Sequence, residues 1–479
     1  MSVIGNDNPA ARGSSLDVNA VRKVALVAAS AAMGGFLFGF DTAVINGAVD
    51  SLRAAFGLSA ALTGFAVSIA LLGSALGAWY AGRLADRFGR VRTMQVAAIL
   101  LAAGAVGAGL AGSVAWLMAW RVIAGIGVGM ASVVAPAYIA EISPASIRGR
   151  LGSMQQLAIV LGIFVALLSD AALAHAAGGA ANTLWFGIGV WRWMFIVGVI
   201  PALIYGGLAF SVPESPRHLV AGGRNEEALG VLRRVLALGS EAAFQKKLSD
   251  IQISLRREHK PRWRDLIGGR GGFLPIVWVG IVLSVFQQFV GINVIFYYST
   301  TLWNSVGFSE SNSFMLTVIT SIVNVLVTLV AIALIDRIGR KALLVIGSSG
   351  MLVTLAVMAV CFAQATGSGT TVSLPGAWGP VALVAANLYV VFFGVSWGPV
   401  VWVLLGEMFP NRIRAMALAV AAAAQWLANF AITSSFPPMA QFSLPFSYGL
   451  YAFFALLSLL FVLRFVRETR GVELEDMPG

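Results

Sequence analysis

The sequence holds 479 residues, of which 58% are hydrophobic and only 11% charged, where soluble domains carry roughly 25% charged residues. A mean hydropathy of +0.85 excludes a water-soluble globular protein, and the formal net charge of +11 must be explained within a membrane setting before nucleic acid is invoked. The single cysteine, Cys361, rules out an intrachain disulfide, and three scattered histidines (His175, His218, His259) support no metal site.

The first 21 residues are polar and mixed in charge and read as a tail. Apolar runs long enough to cross a bilayer, about 20 residues each, then begin near Val24, Leu62, Met94, Trp116, Leu151, Met194, Phe273, Met315, Leu343, Val381, Met416 and Tyr448. The chain therefore divides into a tail at 1–21, a six-helix half at 22–212, a polar linker at 213–272, a second six-helix half at 273–466 and a tail at 467–479. The runs lack the period-2 alternation of strands, and a lipid-exposed strand cannot satisfy its backbone outside a closed barrel. The expectation is an all-α membrane protein of twelve transmembrane helices. In the linker, Glu226–Leu238 and Phe244–Arg257 alternate apolar and basic positions at helical spacing. That spacing predicts short amphipathic helices that tether the halves at the membrane surface.

Threading twelve spans with both termini in the cytoplasm puts every Lys and Arg on that side except Arg53, Arg121 and Arg192. The positive-inside rule thus explains the basic excess, and anionic lipid can add to it. A multi-pass protein of the cell membrane, with no nucleic-acid partner, is expected.

Asp-Arg-x-Gly-Arg occurs at Asp86–Arg90 and again at Asp336–Arg340, an offset of 250 residues. Glu-x-x-Pro-x-x-Ile-Arg occurs at Glu141–Arg148 and again at Glu407–Arg414, an offset of 266. Two unrelated motifs repeating in one order mean duplicated halves, the pattern of secondary transporters. Asp86 with the loop arginines (Arg83, Arg87, Arg90) can pair with Glu407 and Arg414 of the opposite half, and Asp336, Arg337 and Arg340 with Glu141 and Arg148. Such bridges would form a cytoplasmic gate that releases when the halves rock. Topology alone requires only Lys and Arg, so acids at repeated positions argue for more. The run Gly125, Gly127, Gly129 sits inside an apolar span with no preceding strand; it reads as close helix packing, not a dinucleotide loop.

Ionisable groups inside a bilayer are functional hypotheses by default. Asp41 lies nine residues in from Asp50, about 14 Å at helical rise. Arg121 lies at similar depth, so the two are natural partners. Pairing favours the ionised carboxylate and loss of the partner favours protonation, which is what proton coupling requires; a static structural pair is the alternative. Asp170 lies near the outer end of its span and is expected to be solvated.

The second half carries amides in apolar surroundings: Gln287, Gln288, Asn293, Asn324, Gln425 and Asn429, accompanied by Trp397 and Trp426. Neutral amides match sugar hydroxyls and indole faces match the C–H faces of a sugar ring. The alternative is hydrogen bonding between helices. No charged cluster accompanies them, which disfavours a charged substrate.

The chain resembles the sugar porter family of the major facilitator superfamily over nearly all its length. The resemblance rests on GFLFGFDTAV from Gly35, GRLADRFGR at 82–90, PAYIAEISPASIRGR at 136–150, PESPR at 213–217, QQFVGIN at 287–293, DRIGRK at 336–341, SWGPVVWVLLGEMFP at 396–410 and QWLAN at 425–429. Its bacterial xylose–proton and galactose–proton symporters are the nearer likeness. The resemblance implies the major facilitator fold and a monomer that needs no cofactor. It implies that Asp41 is the proton-coupling acid and Arg121 its partner. Gln287, Gln288, Asn293, Asn324, Trp397, Gln425 and Trp426 match sugar-binding positions. Phe38 and Tyr297 match pocket aromatics. Glu141, Arg148, Glu214, Glu407, Arg414 and the loop arginines match the cytoplasmic charge network. Two departures bear on substrate: Ile163, shared with the galactose–proton and arabinose–proton symporters, stands where xylose- and glucose-type members usually carry Gln, and Leu388 stands where a xylose-type pocket has Phe. The closing Pro-Glu-Thr motif is Arg467-Glu468-Thr469 here, a minor change. A proton-coupled hexose or pentose symporter is the expectation. A uniporter on the same fold is the rival and a membrane sugar receptor the remote one; no metal cluster, nucleophile triad or cofactor loop suggests an enzyme.

Overall fold

The computed structural model describes residues 18–143, 148–235, 241–257, 263–268, 272–366, 373–410 and 413–468. Among these residues the chain is helical, with only three isolated β-bridges and no strand. Twelve helical segments are long and apolar enough to cross a membrane, and they are called spans 1 to 12: Arg22–Phe56, Ala60–Phe88, Arg90–Gly109, Val114–Ile142, Ser153–Ala177, Val190–Ser211, Pro275–Ser305, Glu310–Ile335, Arg340–Ala363, Trp378–Met408, Met416–Phe442 and Leu444–Phe465.

Local chemistry sets many of the ends. Ser59, Ser113, Ser309 and Ser443 sit at N-caps, where each hydroxyl accepts a backbone N–H three residues on. Gly57 ends span 1 in the left-handed region at φ 61°. Between spans 6 and 7 lie the helices Pro216–Ala221, Asn225–Val235 and Glu241–Arg257. The second and third lie where the linker pattern predicts helices, and Pro216–Ala221 is an additional short one; positions 236–238 of the first predicted helix are outside the described residues.

Each half packs on itself first. Spans 2 and 4 approach backbone to backbone, because a Cβ on Gly73 or Gly77 would meet the carbonyls of Val122 or Ile126 at 2.3 and 2.1 Å, and one on Gly125 or Gly129 those of Ala70 or Ser74 at 2.0 Å. The glycine run of span 4 is therefore a packing device, as its context indicates. Across the halves, span 2 meets span 11 and span 5 meets span 8. Exchanging the halves converts one of these pairs into the other, which is the two-fold relation of a duplicated transporter. The face carrying the loops after spans 2 and 8, with the linker helices, is the motif face; the opposite one is the far face.

Candidate functional site

Arg121 of span 4 is 2% exposed and reaches span 1, where its Nη1 donates to both carboxylate oxygens of Asp41 at 3.2 Å and to the Asp41 carbonyl at 3.3 Å. Its guanidinium carbon lies 5.7 Å from the ring centroid of Phe195 on span 6. The expected pair is present. Two opposite charges held out of water stay only while each satisfies the other.

The amides converge because span 7 is broken. Its helix stops at Phe289 and restarts at Ile292 after Gly291, which sits at φ 87° with the Tyr451 ring against it. Tyr389 of span 10 donates to the freed carbonyl of Val290 at 2.7 Å, so the break is held from outside. It turns Asn293 back so that its Nδ2 donates to Gln288 Oε1. Gln287 Nε2 donates to the Trp397 and Gly398 carbonyls at 2.8 and 3.3 Å, and its Oε1 accepts from Gln425 Nε2 at 2.5 Å. Gln425 Oε1 is buried without a partner, an acceptor open to a hydroxyl donor. Asn324 and Asn429 are each 6% exposed, and Asn429 Oδ1 accepts from Thr433. Tyr297 of span 7 is 2% exposed, with its ring 6.5 Å from that of Tyr298, centroid to centroid.

The aromatic expectations divide. Phe38 of span 1 lies 5.4 Å from Trp426 of span 11, ring centroid to centroid, a contact between the halves beside the amides. Ile163 is partly buried against the large apolar core cluster that draws on both halves. Trp397 is corrected: it is wholly buried, and its Nε1 donates to Ser348 Oγ at 2.9 Å and to the Leu344 carbonyl at 3.2 Å. Its indole is turned toward span 9 and offers no face to a ligand. The helix break at Ser396, with φ −129° and ψ −85°, precedes it.

On the motif face the acids and arginines expected to gate across the halves are paired inside each half in this conformation. Arg90 donates to Glu141 Oε1 at 2.8 Å, and to Asp86 Oδ1 and the Ala85 carbonyl at 3.1 and 2.9 Å. Arg340 donates to both oxygens of Glu407, at 2.8 and 3.1 Å. Each pair lies within one half. Span 3 packs along span 4, so the arginine that opens span 3 reaches the acid near the end of span 4 without leaving its bundle. Arg414 donates to the Phe409 carbonyl at 3.0 Å. Arg83, Asp86 and Arg87 are exposed, as is Arg337, and Arg87 lies over the Phe88 ring. The side chains of Arg148 and Asp336 lie outside the described residues.

Glu214 caps the start of span 3, accepting the N–H groups of Arg90 and Val91 at 2.9 and 3.2 Å. Gly89, at φ 98°, has to be glycine, since a Cβ would sit 2.1 Å from that carboxylate. The second half repeats the device with Glu468, which sequence reasoning missed. Its signal was available: Glu468 follows span 12 as Glu214 follows span 6.

Also missed was the far-face seam between the halves. Asn46 donates to the Phe296 carbonyl and Ser299 Oγ at 2.9 and 3.1 Å and accepts from Thr300 Oγ1 at 2.6 Å. Asp50 accepts from Thr301 and Asn304, and Glu310 from the backbone of Ala180. Asp170, expected to be solvated, is wholly buried there, because span 8 covers the end of span 5 that the sequence alone leaves bare. The far face is thus latched.

The chain matches the sugar (and other) transporter family over residues 27–479. It is 55% identical over 472 residues to the glucose transport protein of Synechocystis, covering 98% of this chain and all of that protein. It is 38% identical over 481 residues to the D-xylose-proton symporter of Escherichia coli, covering 93% of each. Its fold superposes on the partially occluded, inward-open structure of the E. coli xylose transporter with a TM-score of 0.79 at 36% identity, over 93% of this chain and 100% of the other.

Proposed function

The chain belongs to the sugar (and other) transporter family, and on that premise we propose that it is a proton-coupled monosaccharide symporter working by alternating access. The observation that carries the reading is the buried Asp41–Arg121 pair inside a membrane span, in a chain whose second half brings its neutral amides together. A proton acceptor and a set of neutral hydrogen-bonding groups are the two parts that coupled sugar transport needs. That the matched E. coli relative is a D-xylose-proton symporter supports coupling and a hexose- or pentose-sized substrate.

In the outward-facing state Asp41 takes a proton from outside and its hold on Arg121 weakens. The sugar binds chiefly to Gln287, Gln288, Asn293, Asn324, Gln425 and Asn429, with Trp426, Phe38 and Tyr297 against its apolar faces. With both loaded, the halves rock. The latched far face, with the motif-face pairs folded back inside each half, corresponds to the inward-facing state. The motif face is then cytoplasmic, and the Arg90–Glu141 and Arg340–Glu407 units are the parts of the gate that remake contacts across the halves in the other state. The protein works as a monomer in the cell membrane with both termini cytoplasmic, and residues 213–272 tether two halves bounded at 22–212 and 273–466.

The test is uptake of labelled glucose, galactose and xylose into liposomes with and without an inward proton gradient. The gradient is expected to drive accumulation. Uptake that only equilibrates, whatever the gradient, replaces symport with uniport; no uptake of any of the three removes the substrate class.

A further inference from the structure

We infer that Asp170 is a second proton-binding group, distinct from Asp41, which must be neutral for the far face to close. The inference rests on the alternating-access reading above. Asp170 lies seven residues before the end of span 5, about 10 Å from the far face at helical rise. It is 0% exposed. Its Oδ2 accepts one long hydrogen bond, from Gly47 N at 3.3 Å, and its Oδ1 has no partner. Such a site accepts a neutral acid far more readily than a carboxylate, because an isolated buried charge must find a counter-ion or take up a proton.

No counter-ion is at hand. The charged groups on the elements packed around Asp170 are Asp41, Asp50 and Arg53 on span 1, Glu310 on span 8, Arg192 on span 6 and His175 on its own helix. Asp41 is held by Arg121, Asp50 by Thr301 and Asn304, and Glu310 by the Ala180 backbone. The Arg192 guanidinium is spent on the carbonyls of Gly109 and Ala111, and Arg53 and His175 are exposed. Among the described residues none forms an ion pair with Asp170.

What buries Asp170 is the closed seam itself. A Cβ on Gly47 would lie 2.9 Å from Asp170 Oδ2 and 2.9 Å from the Phe314 ring, so span 1 and span 8 press on the acid together. Phe314 belongs to the other half and leaves when the far face opens, which admits water and lets Asp170 ionise. Both proton uptake and release then occur from the far side. Asp170 makes closure depend on far-side pH without adding a transported proton.

The test places spin labels at Arg53→Cys and Asn312→Cys, exposed positions on opposite halves of the far face, in a Cys361→Ala background, and measures their distance distribution between pH 5 and 8. The ratio of far-face-open to closed populations is expected to rise with pH by up to tenfold per unit, the limit for one proton. The rise should survive Asp41→Asn and vanish in both Asp170→Asn and Asp170→Ser, which stay closed throughout. A pH response that persists in the Asp170 variants, is lost in Asp41→Asn, or is missing from the parent overturns the inference. Because the readout is distance and not sugar accumulation, failure of symport in liposomes leaves this result standing, and the reverse also holds.

Discussion

Glu468 caps the helix that Arg340 opens: its two carboxylate oxygens accept the N–H groups of Arg340 and Lys341, each at 2.9 Å. Glu214 does the same for Arg90 and Val91. The duplicated unit therefore has a third part beyond the two repeated motifs, an acid delivered from the end of the last span of each half. In both halves it sits against a glycine with positive φ, Gly339 at 101° and Gly89 at 98°.

Removing these caps should loosen the motif loops unequally. Glu214 is half-buried, and Glu214→Ala should destabilise the protein by about 1–2 kcal/mol. Glu468 is exposed, so Glu468→Ala should cost less, about 0.5–1 kcal/mol. Thermal unfolding of the two variants in detergent checks the order; a larger effect at Glu468 would show that its contacts matter beyond capping.

Asp41 and Arg121 should behave as one unit. Asp41→Asn is expected to abolish gradient-driven accumulation while leaving sugar exchange. Arg121→Gln alone strands a buried carboxylate and should cost about 3–5 kcal/mol; in the Asp41→Asn background it should cost much less. A stability cycle over the four proteins measures this coupling, and additive effects would mean the pair does not act as drawn.

The two tryptophans should separate. Trp397→Phe removes an indole N–H bonded to Ser348 and should lower stability by about 1 kcal/mol with sugar affinity within about twofold, since 1.4 kcal/mol corresponds to tenfold. Trp426→Phe should weaken sugar binding with little loss of stability. Isothermal titration with the transported sugar, beside thermal unfolding, decides between them, and a reversal of the two results would return Trp397 to the sugar.

In the linker, hydrogen bonding from Arg233 holds the Glu241 carboxyl below its usual range. A depressed acid contributes stability that is full above its unfolded pKa and lost as pH falls through the folded value. The window lies below the ordinary glutamate range, so this exposed pair should not change between pH 5 and 8. Arg233→Ala is expected to leave the pH profile of transport unaltered over that range; a shifted profile would give the linker a part in pH response.

Much of the site was legible because its signals are local. Twelve apolar runs, a 250-residue repeat and two intramembrane ions each stand out against a costly background, since burying a charge or an unsatisfied backbone is prohibitive wherever the chain folds. Asp41 and Arg121 had one plausible partner each at their depth, and they found it. Amides five apart, Gln288 and Asn293, met for a reason the sequence hints at only through Gly291, where the helix breaks.

The sequence by itself determined the spans, the duplication and the acid–base pair, because these follow from composition and from spacing along one helix. Only the tertiary structure decided which face each side chain shows and which partner it takes. Arg90 and Arg340 stay with the acids of their own halves because spans 3 and 4, and spans 9 and 10, pack side by side and bring those acids within reach. Trp397 turns to Ser348, and Asp170 disappears beneath span 8. Both outcomes depend on which helix lies next to which, a property of three-dimensional packing that no run of residues encodes locally.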